Sequence, residues 1–265
     1  MPRFIPPKDY HIIDVKIGDR TGRRRALPKE SFAAFNLNVL GLGDVAAPSK
    51  PTDAIAAVFD LAGFTNFCKQ IEPHLSVPKY LNAFLSWLME QLRAEMREMD
   101  YESNVTLWSP LPFFVKFLGD GLLVLWDCEK MSPIAQRNVV YSCYSICQSY
   151  EQTFLRSLRT KMVEPPSGLR CGVARGTVFS VGEGQDYVGS CINMAARLQK
   201  FPGISFCFNR RGFDLEGSGL PKFFSERIVI REVAIRGIGT HELVSITKSE
   251  AEKLSPRDRK FYKAI

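Results

Sequence analysis

The stretch Ala54-Ile55-Ala56-Ala57-Val58-Phe59-Asp60-Leu61-Ala62-Gly63-Phe64-Thr65 decides the fold. Its first six residues are apolar without interruption and stop at a carboxylate, the pattern of a strand buried on both faces that delivers a charge at its exit. Gly63 and Thr65 then mark a tight turn into a helix. Downstream, Leu81, Phe84, Leu85, Leu88 and Leu92 repeat at three and four residues, which predicts a helix from Val77 to about Met99 with one apolar stripe.

From Phe113 to Trp126 only Lys116 and Asp120 are charged, and Gly119-Asp120-Gly121 interrupts the run with a turn signal. This reads as a hairpin of two core strands with a second carboxylate at its tip. The periodicity predicts a helix from Ser132 to about Leu158, then a hairpin of Arg170–Ala174 and Thr177–Val181 turning at Arg175-Gly176. A helix from about Ser190 to Lys200 and short strands near Ile204–Phe208, Ile228–Ile235 and His241–Ile246 follow. Elements in this order fit an α+β architecture, with helices covering a mostly antiparallel sheet.

Residues 1–50 read as an N-terminal extension, on the strength of Pro2, Pro6, Pro7, the solvated turn at Arg23-Arg24-Arg25 and the boundary at Pro48-Ser49-Lys50-Pro51. Residues 51–247 form the main domain, and 248–265 a C-terminal helical tail. The formal charge of +7 favours anionic ligands in general. No nucleic-acid role is expected for the Arg run, because it lacks interleaved aromatics and a recognisable binding module. Seven cysteines without a C-x-x-C pair argue against a disulfide framework and a zinc ribbon, and point to a reducing cytoplasm. Cys143 and Cys147, one helical turn apart, read as core residues rather than metal ligands. No apolar run is long enough for a secretion signal or a membrane span.

Asp60 and Asp120 each end an apolar segment, where an unpaired charge is costly. Divalent cations shared between them would offset that cost. Magnesium takes one or two carboxylates together with substrate phosphates, and two ions roughly 4 Å apart serve both the attacking and the leaving oxygen of a displacement. Asn193 and Arg197 lie four apart, so one helix face presents both to one ligand.

These segments together resemble the class III adenylyl and guanylyl cyclases. Phe59-Asp60-Leu61-Ala62-Gly63-Phe64-Thr65 is similar to their opening motif F-x-D-[IL]-x-G-F-T, and Lys116-Phe117-Leu118-Gly119-Asp120 to their second metal motif. Leu169–Gly176 is similar to the strand that follows, and Gly189–Arg197 to the helix G-x-x-V-N-x-A-x-R. The resemblance runs from about 54 to 246 and implies a ferredoxin-like core, a twofold homodimer and active sites at the dimer interface. It implies that Asp60, Asp120 and the Leu61 carbonyl hold two Mg2+ or Mn2+ ions, that Ala62, Gly63, Phe64 and Thr65 face the triphosphate, and that Asn193 orients the ribose while Arg197 stabilises charge on the α-phosphate. Ile238 stands where animal adenylyl cyclases carry a lysine for the terminal phosphates, and Arg236, two residues earlier on the same strand, is the expected substitute.

For the base, the resemblance points to Lys116 and Asp186, whose counterparts in adenylyl cyclases are also Lys and Asp; guanylyl cyclases carry Glu at the first position. The pair suits adenine, but uracil offers the same complement, because its O4 accepts and its ring N–H donates. Hydrogen-bond logic leaves ATP and UTP open. Tyr187, where an aliphatic residue is usual, shrinks the pocket and favours the smaller ring, so the expectation is UTP converted to cyclic UMP. The segments Phe67-Cys68-Lys69 and Val77–Leu85 also resemble bacterial antiphage pyrimidine cyclases. The alternatives are an adenylyl cyclase, a cyclase-like module that binds nucleotide without turnover, and a polymerase or nuclease, which would need a template groove that the sequence does not supply. No receptor or sensor sequence accompanies the domain, so a partner, a small ligand or the extensions are expected to carry the trigger.

Overall fold

The computed structural model of the chain describes residues 10–18, 20–213 and 222–265; Pro2, Pro6 and Pro7 of the expected extension lie outside them. The chain divides into two compact units, one of residues 1–51 with 179–188, the other of 52–178 with 189–265. The smaller unit contains the antiparallel hairpin β1 (His11–Ile17) and β2 (Arg20–Ala26), then helix α1 (Lys29–Ala33) and a 3-10 turn at Leu37–Leu40. Arg23, Arg24 and Arg25 are therefore strand residues, not the expected turn. They pair with Asp14, Ile13 and Ile12.

The larger unit begins at Thr52, the second residue of β3 (Pro51–Ala62), which is followed by α2 (Phe64–Phe67), α3 (Pro73–Met96) and a small hairpin of β4 (Arg97–Tyr101) and β5 (Asn104–Leu107). Helix α3 starts four residues earlier than its apolar stripe, with Pro73 in its first turn, and it gives way to strand at Arg97 rather than reaching Met99. Strands β6 (Phe114–Phe117) and β7 (Gly121–Asp127) form the expected hairpin, but only β7 is a core strand: β6 is the edge of the sheet, with Lys116 and Phe117 exposed. Helix α4 (Pro133–Ser149) starts at Ser132, whose hydroxyl accepts from the Ala135 N–H at 3.2 Å, and runs into a π-helical turn at Tyr150–Leu155 and then α5 (Arg156–Leu158).

The expected hairpin at Arg175-Gly176 is absent. Instead β8 (Gly168–Val181) runs straight through and turns back only afterwards, into β9 (Asp186–Gly189). The reason is visible at Arg175. Its guanidinium bonds the Asp53 carboxylate through Nε and Nη2, and through Nη1 it donates to Gln136 Oε1 and the Gly212 carbonyl, both at 2.7 Å. These charge-assisted bonds tie Arg175 to three other parts of the chain, so it is anchored in mid-strand rather than left solvated at a loop tip. Next come α6 (Ser190–Leu198), β10 (Phe206–Asn209), α7 (Lys222–Ser225), β11 (Ile228–Ile235) and β12 (Gly239–Thr247). The end of the chain forms α8 (Lys248–Lys253) and α9 (Pro256–Arg259), both short.

Strand order in the main sheet is β11-β12-β10-β8-β3-β7-β6, with β10 parallel to β8 and the β3–β7, β6–β7, β10–β12 and β11–β12 pairs antiparallel. β3 thus lies inside the sheet. Its residues Ile55, Ala57, Phe59 and Leu61 pack in the main core with Tyr80, Phe84, Leu88, Leu92 and Met96 of α3 and with Val139, Val140, Cys143 and Ile146 of α4. Ala54, Ala56 and Val58 point to the opposite face and are buried as well, which accounts for the unbroken apolar run. Each α3 contact residue removes enough apolar surface to contribute about 1.5–3 kcal/mol. All seven cysteines are free thiols, and Cys143 and Cys147 are core residues beside Cys171 of β8.

Candidate active site

The register of the central strands brings the backbones of the two aspartates together. Asp60 pairs with Gly121, and beyond that pair the Leu61 N–H donates to the Asp120 carbonyl at 3.0 Å. Gly121 makes this approach possible, since a Cβ there would sit 1.8 Å from the Phe59 carbonyl oxygen. No other residue fits without separating β3 from β7. The chain leaves β3 through Gly63, whose φ of +86° starts the turn into α2. Ala62, Gly63, Phe64 and Thr65 thus follow directly on the two carboxylates.

Alternation along the strands puts Asp60 on the sheet face opposite α3 and α4. Lys116 shares that face, because it pairs with Leu123, which itself pairs with Val58. Arg170 of β8 is the residue that sequence reasoning missed. Its guanidinium forms an ion pair with Asp60, with Nε 3.1 Å from Oδ2 and Nη2 closer still, while only 13% of the Asp60 side chain remains exposed. The two are 110 residues apart in sequence, so only strand pairing reveals the contact.

Asn193 and Arg197 are exposed on α6, while Cys191, Met194, Ala195 and Leu198 bury its other side. The helix lies tight on β8: a Cβ on Gly172 would come within 2.2 Å of the Ala195 carbonyl oxygen. Arg197 extends toward the turn between β11 and β12, where a Cβ on Gly237 would lie 3.7 Å from its Nη2. Here a correction is needed. β11 ends at Ile235, so Arg236 and Ile238 belong to a turn closed by the Ile238 N–H on the Ile235 carbonyl (3.0 Å), and the same-strand-face argument for Arg236 fails. Both are exposed, and Gly237 between them faces Arg197. Asp186 and Tyr187 open β9 in the smaller unit, where the Tyr187 N–H donates to Asp186 Oδ1 at 2.8 Å.

No protein-family model matches the chain, and no curated protein sequence matches it. Solved structures do. The guanylyl cyclase Cya2 superposes with a TM-score of 0.55 over 76% of this chain and 93% of its own, at 16% identity. The chain has a nucleotidyl cyclase fold. The catalytic core of a rhodopsin-guanylyl cyclase with converted specificity, solved in complex with ATPαS, aligns over 75% of this chain and 98% of its own, with 17% identity and a TM-score of 0.48.

Within this cyclase fold the donor set at the β3 exit suits a hard divalent cation. The Asp60 and Asp120 carboxylates and the Leu61 carbonyl would be an all-oxygen donor set, and the Asp60 carboxylate already pairs with a cationic side chain, that of Arg170. Among the described residues no group of three His, Cys, Asp or Glu side chains is placed to hold a metal. A pair of carboxylates is nevertheless what magnesium needs when substrate phosphates complete its shell. No helix among the described residues is long and apolar enough to cross a membrane.

Proposed function

We propose that the chain is a nucleotidyl cyclase that closes a nucleoside triphosphate into its 3′,5′-cyclic monophosphate and releases pyrophosphate. The observation that supports this reading is the pairing of Asp60 with Gly121, which brings the backbones of two aspartates side by side in a cyclase fold. In the reaction the ribose 3′ oxygen bonds to the α-phosphorus, the bond to the β-phosphate oxygen breaks, and the hydroxyl proton leaves to water. Mg2+ or Mn2+ held by Asp60, Asp120 and the Leu61 carbonyl would supply charge neutralisation at the phosphoryl oxygens.

The remaining work falls to side chains. Arg170 neutralises Asp60, and its guanidinium would also suit a terminal phosphate, a task for which Ile238 is unsuited. Arg236 supplies a second positive charge. Asn193 and Arg197 project together from α6, and in a homodimer they would serve the site of the partner subunit, positioning the ribose and stabilising the α-phosphate. Lys116, on the same sheet face as Asp60, together with Asp186 and Tyr187, would read the base. Tyr187 supports a pyrimidine, and UTP to cyclic UMP is the specific assignment; the Phe67–Lys69 and Val77–Leu85 likeness to antiphage pyrimidine cyclases supports the same choice and a role for the product as a defence signal. The Lys116 and Asp186 pair also fits adenine, which keeps ATP as the second substrate to test.

The test is to compete all four ribonucleoside triphosphates at equal concentration with Mn2+ and to identify products by mass. Cyclic UMP as the main product is the expected result. A clear preference for ATP overturns the pyrimidine assignment, and the absence of any cyclic nucleotide overturns the cyclase reading.

A further inference from the structure

Tyr80 of α3 and Tyr150, the first residue of the π-helical turn, are both wholly buried in an aromatic cluster with Phe84 and Phe154. Their hydroxyl oxygens lie 2.7 Å apart, and Tyr150 donates to the Pro166 carbonyl, also at 2.7 Å, so Tyr80 donates to Tyr150. If packing were their only task, two phenylalanines would serve without burying two hydroxyls. Burial pushes the Tyr150 phenol up to about 12 despite the opposing bond from Tyr80, and Tyr80 is raised further, so both keep their protons at any working pH.

The chain of bonds does not stop at Pro166. The carbonyl that Tyr150 holds and the Ser167 N–H belong to one planar peptide unit, so fixing one end fixes the direction of the other. That N–H donates to the Ala62 carbonyl at 2.9 Å, and the Ser167 hydroxyl lies 3.4 Å from the same oxygen. Ala62 is the last residue of β3, directly after Leu61 and two residues past Asp60. The β3 exit is thereby held from two sides: by Asp120 through the Leu61 N–H, and by Ser167 through the Ala62 carbonyl.

From this geometry we infer that the Tyr80–Tyr150 hydroxyl pair positions the cation-binding exit of β3, acting through the Pro166–Ser167 peptide. The two tyrosines are positioning residues and touch neither substrate nor cation. The inference rests on the two-carboxylate reading of Asp60 and Asp120. Tyr150 opens a π-helical turn, an irregularity that is frequent at functional sites.

The experiment compares wild type with Tyr150→Phe and Tyr80→Phe by two readouts: hydrogen exchange at the Ser167 amide, and Mn2+ affinity by electron paramagnetic resonance of the free ion. Tyr150→Phe deletes the bond to Pro166, so Ser167 exchange is expected to rise about tenfold and Mn2+ binding to weaken several-fold, with circular dichroism unchanged. Tyr80→Phe keeps that bond and should show a smaller change of the same sign in both. Unaltered Ser167 exchange and Mn2+ affinity in Tyr150→Phe would overturn the inference, as would faster exchange without weaker Mn2+ binding. If Tyr150→Phe does not fold, Tyr80→Phe decides by the same criteria. Wild-type Mn2+ binding that survives Asp60→Asn would sink the two-carboxylate reading instead, and Ser167 exchange then decides the tyrosine pair by itself.

Discussion

The exit of β3 and the turn between β11 and β12 are both candidate contacts for one triphosphate, yet they are built in opposite ways. Asp60 lies near the end of a strand with apolar residues buried on both faces, is joined to β7 by backbone bonds and is matched by Arg170. Arg236 and Ile238 stand exposed in a turn at the outer end of the sheet order, held by one short backbone bond. Groups that must hold their separation to a fraction of an ångström belong on packed strands, whereas groups that merely add charge tolerate a surface turn. The two regions should accordingly respond to mutation on different scales.

The largest effect is expected at the buried end. Asp60→Asn and Asp120→Asn should each reduce turnover by about a thousandfold or more while leaving the fold intact, if each holds a cation at the reacting phosphate as proposed. Product formation within a few-fold of wild type in either variant would break the contrast. Next, Arg197→Ala should be nearly inactive alone, and mixing it with Asp60→Asn chains should restore activity through heterodimers with one intact site. No recovery after proven subunit exchange would place Asn193 and Arg197 outside a shared site. Gly121→Ala tests the spacing rather than the charge. Forcing a Cβ against the Phe59 carbonyl should cost about 1–3 kcal/mol in denaturant unfolding and lower turnover along with it. The smallest effect is expected at the exposed turn. Arg236→Ala should raise the KM for the triphosphate by about three- to tenfold with kcat nearly unchanged, in line with an exposed charge contact. A fall in kcat of a hundredfold there would erase the distinction.

The legible parts of this molecule are those where one local property dictates the outcome. A strand buried on both faces has to be apolar throughout, so β3 announces itself, and the Gly119-Asp120-Gly121 turn between apolar runs marks β6 and β7. Arg175-Gly176 misleads because its chemistry is that of a turn until Asp53, Gln136 and the Gly212 carbonyl converge on the guanidinium. Those partners come from other elements, and no window of neighbouring residues contains them. The same holds for Arg170, whose importance lies in Asp60 across the strand pair, and for the Arg23–Arg25 run, which pairing with the 12–14 segment turns into strand. Asn193 and Arg197 were readable as a pair because a helix makes residues four apart neighbours without help from the rest of the chain.

Near its end the chain doubles back onto the outermost strand. Glu232, in the middle of β11, and Lys263 exchange both backbone bonds, at 3.0 and 2.9 Å, and their side chains lie 3.7 Å apart. At that point the rim of the sheet has no N–H or C=O left to offer a foreign strand. An unguarded rim is a template on which further chains stack, and a two-bond stopper halfway along it, with a salt link on top, interrupts such growth before it can propagate. Sheet-to-sheet polymerisation through this margin is thereby discouraged, and copies of the chain that meet in solution are left to associate through side chains rather than through shared backbone ladders on that side.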